Sequence, residues 1–300
     1  MKMNMKISDS MKRIILTAFC AILPLMASAQ GQIKTKSFIV SDFREKTMKV
    51  VLTGNEMLDA SLKDNLLKVW NISPYETCSM EEFERTKSDP NLYFMAICDS
   101  KFFREASAGI KMITVFKGSA EATEGFDGMY KVVRMPFCSS EDPDGRELVF
   151  LPALLTIVQT EVERIMDRSI NIGSDVTVQP KNVIKTWKQQ IDISKSDLDF
   201  TPGSSLSAIY KHDNLYLHDD DTPERLLTAK EHGHLIGYVV APTVPVKGSH
   251  SYTMLIDSSN WELFYITRHK LSGNGAKGFS QVELRTFIAH TSKASDSKKD

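Results

Sequence analysis

The fold is decided by three apolar, strand-like segments in the first half of the chain: Leu92–Cys98 (LYFMAIC), Ile110–Phe116 (IKMITVF) and Tyr130–Met135 (YKVVRM). Their aromatic and β-branched residues favour strands. A long helix is predicted after them, from Glu147 to Arg168, because apolar residues recur there at helical spacing. Three strands and a helix in this order indicate an α/β unit.

The residues before these strands predict two further strand–helix pairs. Lys49–Thr53 is apolar-rich and strand-like, and Asn55 suits the N-cap of a helix whose leucine stripe runs to Trp70. A short strand then leads to Cys78. The segment Ser79-Met80-Glu81-Glu82 is a capping box, with serine at the cap and glutamate three residues later, and it predicts a short helix.

The second half of the chain repeats this order. Leu215–Leu217 is strand-like, and Asp221-Thr222-Pro223-Glu224 is typical of a helix start. Three strands and a closing helix follow: Leu235–Val240, Tyr252–Ile256, Trp261–Thr267 and Ser280–His290. The sequence therefore predicts an α/β (α+β) fold of two small mixed-sheet modules. The repeat indicates a divergent internal duplication; the alternative is two unrelated α/β segments of similar order.

These elements divide the chain into five parts. Residues 1–29 are predicted to be a signal peptide, 30–170 the first α/β module, 171–203 a linker, 204–291 the second α/β module and 292–300 a disordered tail. The linker prediction rests on its mixed composition. The tail is charged and polar, which is typical of unstructured chain ends.

The first part has the order of a secretory signal peptide. Lys12 and Arg13 precede the apolar run Ile14–Met26, and Ala27-Ser28-Ala29 forms a small-x-small cleavage pattern. The run has about 13 residues, fewer than the ~20 that a spanning helix needs. We therefore expect an exported protein, periplasmic or secreted, with no transmembrane anchor after cleavage. Met11 also begins a well-proportioned signal, so the start at Met1 or Met11 stays open.

Composition limits the class of protein. The chain has 300 residues, of which 42% are hydrophobic and 25% charged, and its formal net charge is −1. These fractions are ordinary for a globular protein and exclude a wholly disordered chain, a collagen-like repeat and a polytopic membrane protein. No basic block is present, so the chain lacks the electrostatic footprint of nucleic-acid binding, and we expect no nucleic-acid partner.

The histidines suggest one candidate metal site, because all seven lie between residues 212 and 290. In His232-Gly233-His234 the two imidazoles stand at i and i+2, on the same side of a strand, where both can reach one metal ion. His218, or the adjacent Asp219, would complete the set. The pattern predicts a divalent-metal site at His218, His232 and His234. The alternative is scattered surface histidines and no cofactor.

A glycine-rich loop is a candidate anion site. Gly273-Asn274-Gly275-Ala276-Lys277-Gly278 lies between a predicted strand and a predicted helix, where backbone N–H groups can hold a phosphate. A dinucleotide site also needs a βαβ unit and an acidic residue ~20 residues later at a strand end, and only a helix and a tail follow here. Gly273, Gly275, Lys277 and Gly278 therefore remain candidates for a small anion, with a flexible connection as the alternative.

Three cysteines remain after the predicted cleavage: Cys78, Cys98 and Cys138. An exported protein can form disulfides, but an odd number leaves at least one thiol unpaired. All three lie in or beside strand-like segments, which favours small buried core residues. One disulfide of undetermined pairing and a nucleophilic cysteine are the alternatives.

The function prediction follows from export and from the absence of a catalytic pattern. The sequence contains no Gly-x-Ser-x-Gly elbow and no zinc-class spacing. The strand–helix order of the first module resembles periplasmic α/β modules of envelope-assembly proteins, such as the TolB N-terminal and CsgG-like domains, in fold order alone. We expect an exported, soluble binding or envelope-assembly protein without catalytic activity, with a protein or glycan partner at the cell envelope. The alternative is a metal-dependent hydrolase that uses the histidines of the second module.

Overall fold

The computed structural model describes residues 39–141, 143–167, 174–182, 188–201, 214–271 and 277–296. The predicted signal peptide lies outside the described residues, as do parts of the predicted linker and tail. The signal, its cleavage pattern and export itself therefore stay predictions from the sequence.

Each half of the chain forms one strand–helix series. The elements of the first module are β1 (Met48–Val51), α1 (Glu56–Val69), β2 (Tyr75–Cys78), α2 (Met80–Thr86), β3 (Tyr93–Ser100), β4 (Ile110–Lys117), β5 (Tyr130–Ser139) and α3 (Arg146–Met166). Those of the second are β6 (Gln190–Ser194), β7 (Leu215–His218), α4 (Thr222–Ala229), β8 (His234–Val240), β9 (His250–Asp257), β10 (Leu263–Lys270) and α5 (Gln281–Asp296).

The two modules have the same sheet topology. The first sheet has the order β2-β1-β3-β4-β5, and the second has the order β7-β6-β8-β9-β10. In the first sheet, β1 is parallel to both of its neighbours, β2 and β3. The pairs β3–β4 and β4–β5 are antiparallel. In the second, β6 is parallel to both neighbours and β8, β9 and β10 are antiparallel. The predicted α/β fold with two similar mixed-sheet modules is therefore confirmed.

One central strand lies where the sequence predicted a linker. Within residues 171–203, Gln190–Ser194 forms β6, which pairs with both β7 and β8. The strand was not predicted, although Ile191 and Ile193 alternate with polar residues as in a half-buried strand. The carboxylate of Asp192 is fully buried, and histidines of the two neighbouring strands contact it. Only the assembled sheet provides these partners, so the local sequence does not show that Asp192 is buried.

Helix α3 lies at the centre of the molecule, between the two sheets. Its apolar side chains share one core with α1, with the first sheet and with residues of the second sheet such as Ile236 and Met254. Helix α2 packs on the opposite face of the first sheet through Phe83. Helix α5 covers the outer face of the second sheet through Phe287. Burial on several sides explains why residues 149–158 of α3 form a ten-residue apolar stretch.

Polar contacts join the modules beside α3. The hydroxyl of Tyr238 on β8 donates to the carbonyl oxygen of Phe137 on β5 at 2.6 Å. The Tyr238 ring stacks on Phe150 with centroids 4.0 Å apart. Arg146, the first residue of α3, pairs with Asp197 and Glu224 of the second module. These contacts fix the first turn of α3 relative to both sheets.

Among the described residues, no helix is both long and apolar enough to cross a membrane.

Candidate functional site

The first module has a cleft at the carboxyl ends of its parallel strands. The cleft has a volume of about 660 Å³ and is lined by Val51–Thr53 after β1 and by residues 96–99 of β3. In the sheet order β2-β1-β3-β4-β5 the chain runs from β1 to β2 on one side and from β3 to β4 on the other, so the connections diverge between β1 and β3. Adjacent strands whose connections diverge form a topological switch point, where open α/β sheets bind ligands. We call this cavity the switch-point cleft.

The interior of the switch-point cleft is mainly apolar. Its lining includes Val51, Leu58, Ile97, Phe126, Phe137 and Leu148. Two methionines that also line it are exposed to solvent: Met57 on α1 at 72% and Met80 on α2 at 45%. Methionine side chains are flexible and polarisable, and they adapt to ligands of different shape. The cleft therefore has an apolar interior and an adaptable rim.

The loop between β1 and α1 is held in place by one carboxylate. Asp59 accepts hydrogen bonds from the backbone N–H of Thr53 at 2.8 Å and of Gly54 at 3.0 Å, and from the Thr53 hydroxyl at 2.8 Å. Gly54 has a φ of +83°, a left-handed conformation that favours glycine. Asn55 caps α1 by accepting from the N–H of Leu58. This wall of the cleft is thus preorganised, and these backbone donors are already occupied.

Glu147 brings an unsatisfied carboxylate into the switch-point cleft. It lies in the first turn of α3, is only 7% exposed, and lines the cleft. Its Oε2 atom is buried and has no hydrogen-bond partner among the described residues. Burial raises the pKa of Glu147, and the nearby Asp144 carboxylate raises it further. A titratable group with a perturbed pKa inside a cavity is typical of functional sites.

The other charged side chains at the cleft already make polar contacts within the protein. Lys111 is the one basic side chain among the described lining residues, and its Nζ lies 3.2 Å from the Asp99 carboxylate. Asp144, next to the cleft, accepts a hydrogen bond from the backbone N–H of Arg146 at 3.0 Å. Glu147 therefore has no cationic side chain to balance it among these groups.

The three cysteines are free thiols. Burial raises the pKa of Cys98 to about 11 and that of Cys138 to about 12, and both line the switch-point cleft. Burial also raises the pKa of Cys78 to about 11. Because the thiolate is the reactive form, these thiols act at neutral pH as small apolar residues.

The predicted histidine cluster has a different centre from the one expected. His218 Nε2 and His234 Nδ1 each lie 2.8 Å from a separate oxygen of Asp192. Gln190 donates to the same carboxylate at 2.9 Å. His232 is exposed on the turn before β8. The structure thus brings His218 and His234 together on the buried Asp192, which the sequence did not single out, and leaves His232 apart.

The described residues do not bring the predicted metal ligands together as one set. Within the described ranges, no group of three or more His, Cys, Asp or Glu side chains is placed to hold a metal ion. Asp219, the proposed additional ligand, pairs with Lys195 instead. His232 is exposed on the turn before β8, so the described residues bring only His218 and His234 of the three predicted ligands together, at Asp192.

The predicted anion loop lies partly outside the described residues, which exclude Gly273 and Gly275. Lys277 donates from Nζ to the backbone carbonyl oxygen of Thr243. At Gly278 an added Cβ would stand 2.0 Å from the carbonyl oxygen of Asp197. Close packing of two backbone segments therefore explains Gly278, and no anion is needed to account for it.

No protein-family model matches this chain, and no curated protein or solved structure shows a significant match to it. The functional argument accordingly rests on the geometry of the molecule. Glu147 was overlooked in the sequence because an acidic residue in the first turn of a helix is ordinary. The signal that does point to it is its position immediately before the apolar run of α3, where neighbouring residues are buried.

Proposed function

We propose that this protein is a non-enzymatic binding protein that holds a ligand with an apolar body in the switch-point cleft. The position of the cleft carries the proposal, because ligands of open α/β sheets bind at the carboxyl ends of strands beside a switch point. A volume of about 660 Å³ falls within the range of small-molecule pockets, ~300–1,000 Å³.

The chemistry of the lining supports binding rather than turnover. Small-molecule pockets are mainly apolar with a few placed polar groups, and this cleft combines apolar walls with Glu147 and the Lys111–Asp99 pair. Cys98 and Cys138 are protonated at neutral pH and are poor nucleophiles. We place this binding function outside the cytoplasm, since residues 12–29 have the pattern of an export signal.

A neutral apolar fluorophore, N-phenyl-1-naphthylamine, tests the proposal. Its emission rises in apolar surroundings, so titration of the protein gives an affinity. The cleft variant is Met57→Asp with Met80→Asp, which puts two charges on the rim at positions already exposed to solvent. Both positions are in the first turns of helices, where acidic residues are tolerated. The variant should therefore fold.

The matched control is Leu67→Asp with Val282→Asp, which replaces two exposed apolar residues away from the cleft. We expect saturable binding by the wild type and the control. We expect at least about tenfold weaker binding by the cleft variant, because burying one apolar side chain against a ligand is worth ~1.5–3 kcal/mol. Equal binding by all three proteins would place the probe elsewhere and refute the proposal, and so would no binding at all.

A further inference from the structure

The unsatisfied oxygen of Glu147 indicates what the ligand must supply. Almost every buried polar atom in a native protein has a hydrogen-bond partner, so an exception inside a binding cavity requires an explanation. Oε2 of Glu147 is such an exception among the described residues. An ionised carboxylate only accepts hydrogen bonds, so the partner that would stabilise the ionised form of Glu147 is a donor.

At each helix start around the cleft, one backbone N–H is already bound by a protein side chain. Helices α1, α2 and α3 all begin there, and free N–H groups at helix starts attract anions. Here a protein side chain already accepts from each start. The acceptor and donor pairs are Asn55 with Leu58 N at 3.1 Å, Ser79 with Glu82 N at 3.1 Å, and Asp144 with Arg146 N at 3.0 Å.

The charge balance of the cleft also favours a cation. Lys111 is neutralised by Asp99, while Glu147 and the nearby Asp144 are two carboxylates without a cationic partner in this group. A ligand ammonium would make a charge-assisted hydrogen bond to Glu147, and such bonds are shorter and stronger than neutral ones. A ligand carboxylate would instead meet like charge in an apolar cavity.

We propose that the switch-point cleft recognises a protonated amine carried on an apolar body, with Glu147 as the acceptor of the ammonium group. This inference rests on the proposed function and names the ligand class for the same cleft. The apolar walls hold the body of the ligand, and the first turn of α3 places the acceptor at their inner end. Selectivity comes from Glu147, because the apolar lining does not distinguish charge.

Three probes that share one fluorophore and spacer test the inference. Dansylcadaverine has an ammonium group, its N-acetyl derivative has a neutral amide, and N-dansyl-aminohexanoic acid has a carboxylate. We expect the wild type to bind the ammonium probe at least about tenfold more tightly than the acetylated probe, as for a buried charge-assisted hydrogen bond. The carboxylate probe should bind most weakly.

Glu147→Gln tests the role of the acceptor, since it keeps the shape of the side chain and removes its charge. This variant should lose the preference for the ammonium probe and keep its affinity for the acetylated one. The matched control is Glu163→Gln on the same helix, whose carboxylate is partly exposed and lies 3.6 Å from Arg44. It should bind all three probes as the wild type does.

The outcomes separate this inference from the proposed function. Equal affinity of the wild type for all three probes, or preference for the carboxylate, would refute amine recognition and leave apolar binding in the cleft intact. Retention of the ammonium preference in Glu147→Gln would also refute it. No binding of any probe would refute both proposals. The ranking of probes on the wild type decides the question even where Glu147→Gln does not fold.

Discussion

Replacing Arg146 tests how the two modules are held together. Arg146 Nη1 lies 2.7 Å from Oδ1 of Asp197, its Nε contacts Glu224, and its Nη2 donates to the carbonyl oxygen of Gly237 at 3.3 Å. The guanidinium side chain is 17% exposed, and its partner carboxylates are 8% and 15% exposed. Arg146→Ala therefore leaves two nearly buried carboxylates without their cation.

The cost follows from the burial of those partners. Removing one member of a buried ion pair typically costs ~3–5 kcal/mol, because the remaining charge has neither water nor a partner. Arg146 also lies over the rings of Phe150 and Tyr238, at 5.3 and 5.6 Å from their centroids, and loses those contacts. We expect Arg146→Ala to lower the free energy of unfolding by about 3–5 kcal/mol. That is a large part of the ~5–15 kcal/mol of a typical domain.

Urea unfolding followed by far-ultraviolet circular dichroism measures this loss. The matched control is Arg225→Ala on α4, whose partner Asp221 lies 3.3 Å away with both side chains mostly exposed. Exposed pairs at this spacing contribute ~0.3–0.5 kcal/mol, so the control should unfold almost as the wild type does. Adding Asp197→Asn to Arg146→Ala should recover part of the stability, because it removes one unpaired charge. A loss in Arg146→Ala no greater than in Arg225→Ala would refute the reasoning.

Three further outcomes are expected. Burial alone would raise the pKa of Glu283. Hydrogen bonds from His269, Ser280 and Thr253 outweigh burial and lower the pKa to about 2. The pKa of a glutamate in the unfolded chain is ~4.3, so the shift contributes about 3 kcal/mol of stability above that pH, and this contribution is lost as pH falls toward 2. Glu283→Gln should therefore reduce the dependence of the urea midpoint on acid pH. Gly278→Ala should destabilise the protein by ~1–3 kcal/mol in the same assay, because its Cβ would stand 2.0 Å from a carbonyl oxygen. Cys98 and Cys138 should resist iodoacetamide at neutral pH in the native protein and react in urea, as mass spectrometry would show, because burial raises the pKa of their thiols to about 11 and about 12.

The fold could be predicted largely from local patterns. The helix cap at Asn55, the capping box at Ser79 and the strands β3 and β4 are all encoded within short windows, and the structure has them there. Strand β6 is different, because the partners of Asp192 come from strands that are 26 and 42 residues away in sequence. A buried carboxylate on a central strand is stable only with such partners, so the local alternation of Ile191 and Ile193 could not show that Asp192 is buried.

The candidate site was less predictable than the fold. His218 and His234 could be grouped because one face of a strand and an adjacent acidic run are visible in the sequence. The switch-point cleft was not visible, because its lining comes from β1, β3 and the starts of three helices. Glu147 can be identified as a candidate site residue only when its surroundings are known. On an exposed helix start, a glutamate is common because it interacts favourably with the helix dipole.

The first turn of α3 lies at the carboxyl ends of parallel strands in both modules. The position in the second module that corresponds to the switch-point cleft lies at the carboxyl ends of β6 and β8, and there Arg146 reaches Asp197 after β6 and Gly237 on β8. The next residue, Glu147, faces the cleft of the first module. The first turn of α3 thus places the paired guanidinium of Arg146 at one of these positions. It places the Glu147 carboxylate, which has no cationic side chain beside it among the described residues, at the other. Because Arg146 and Glu147 are consecutive in that turn, the contacts of Arg146 with the second module also hold Glu147 in position at the cleft.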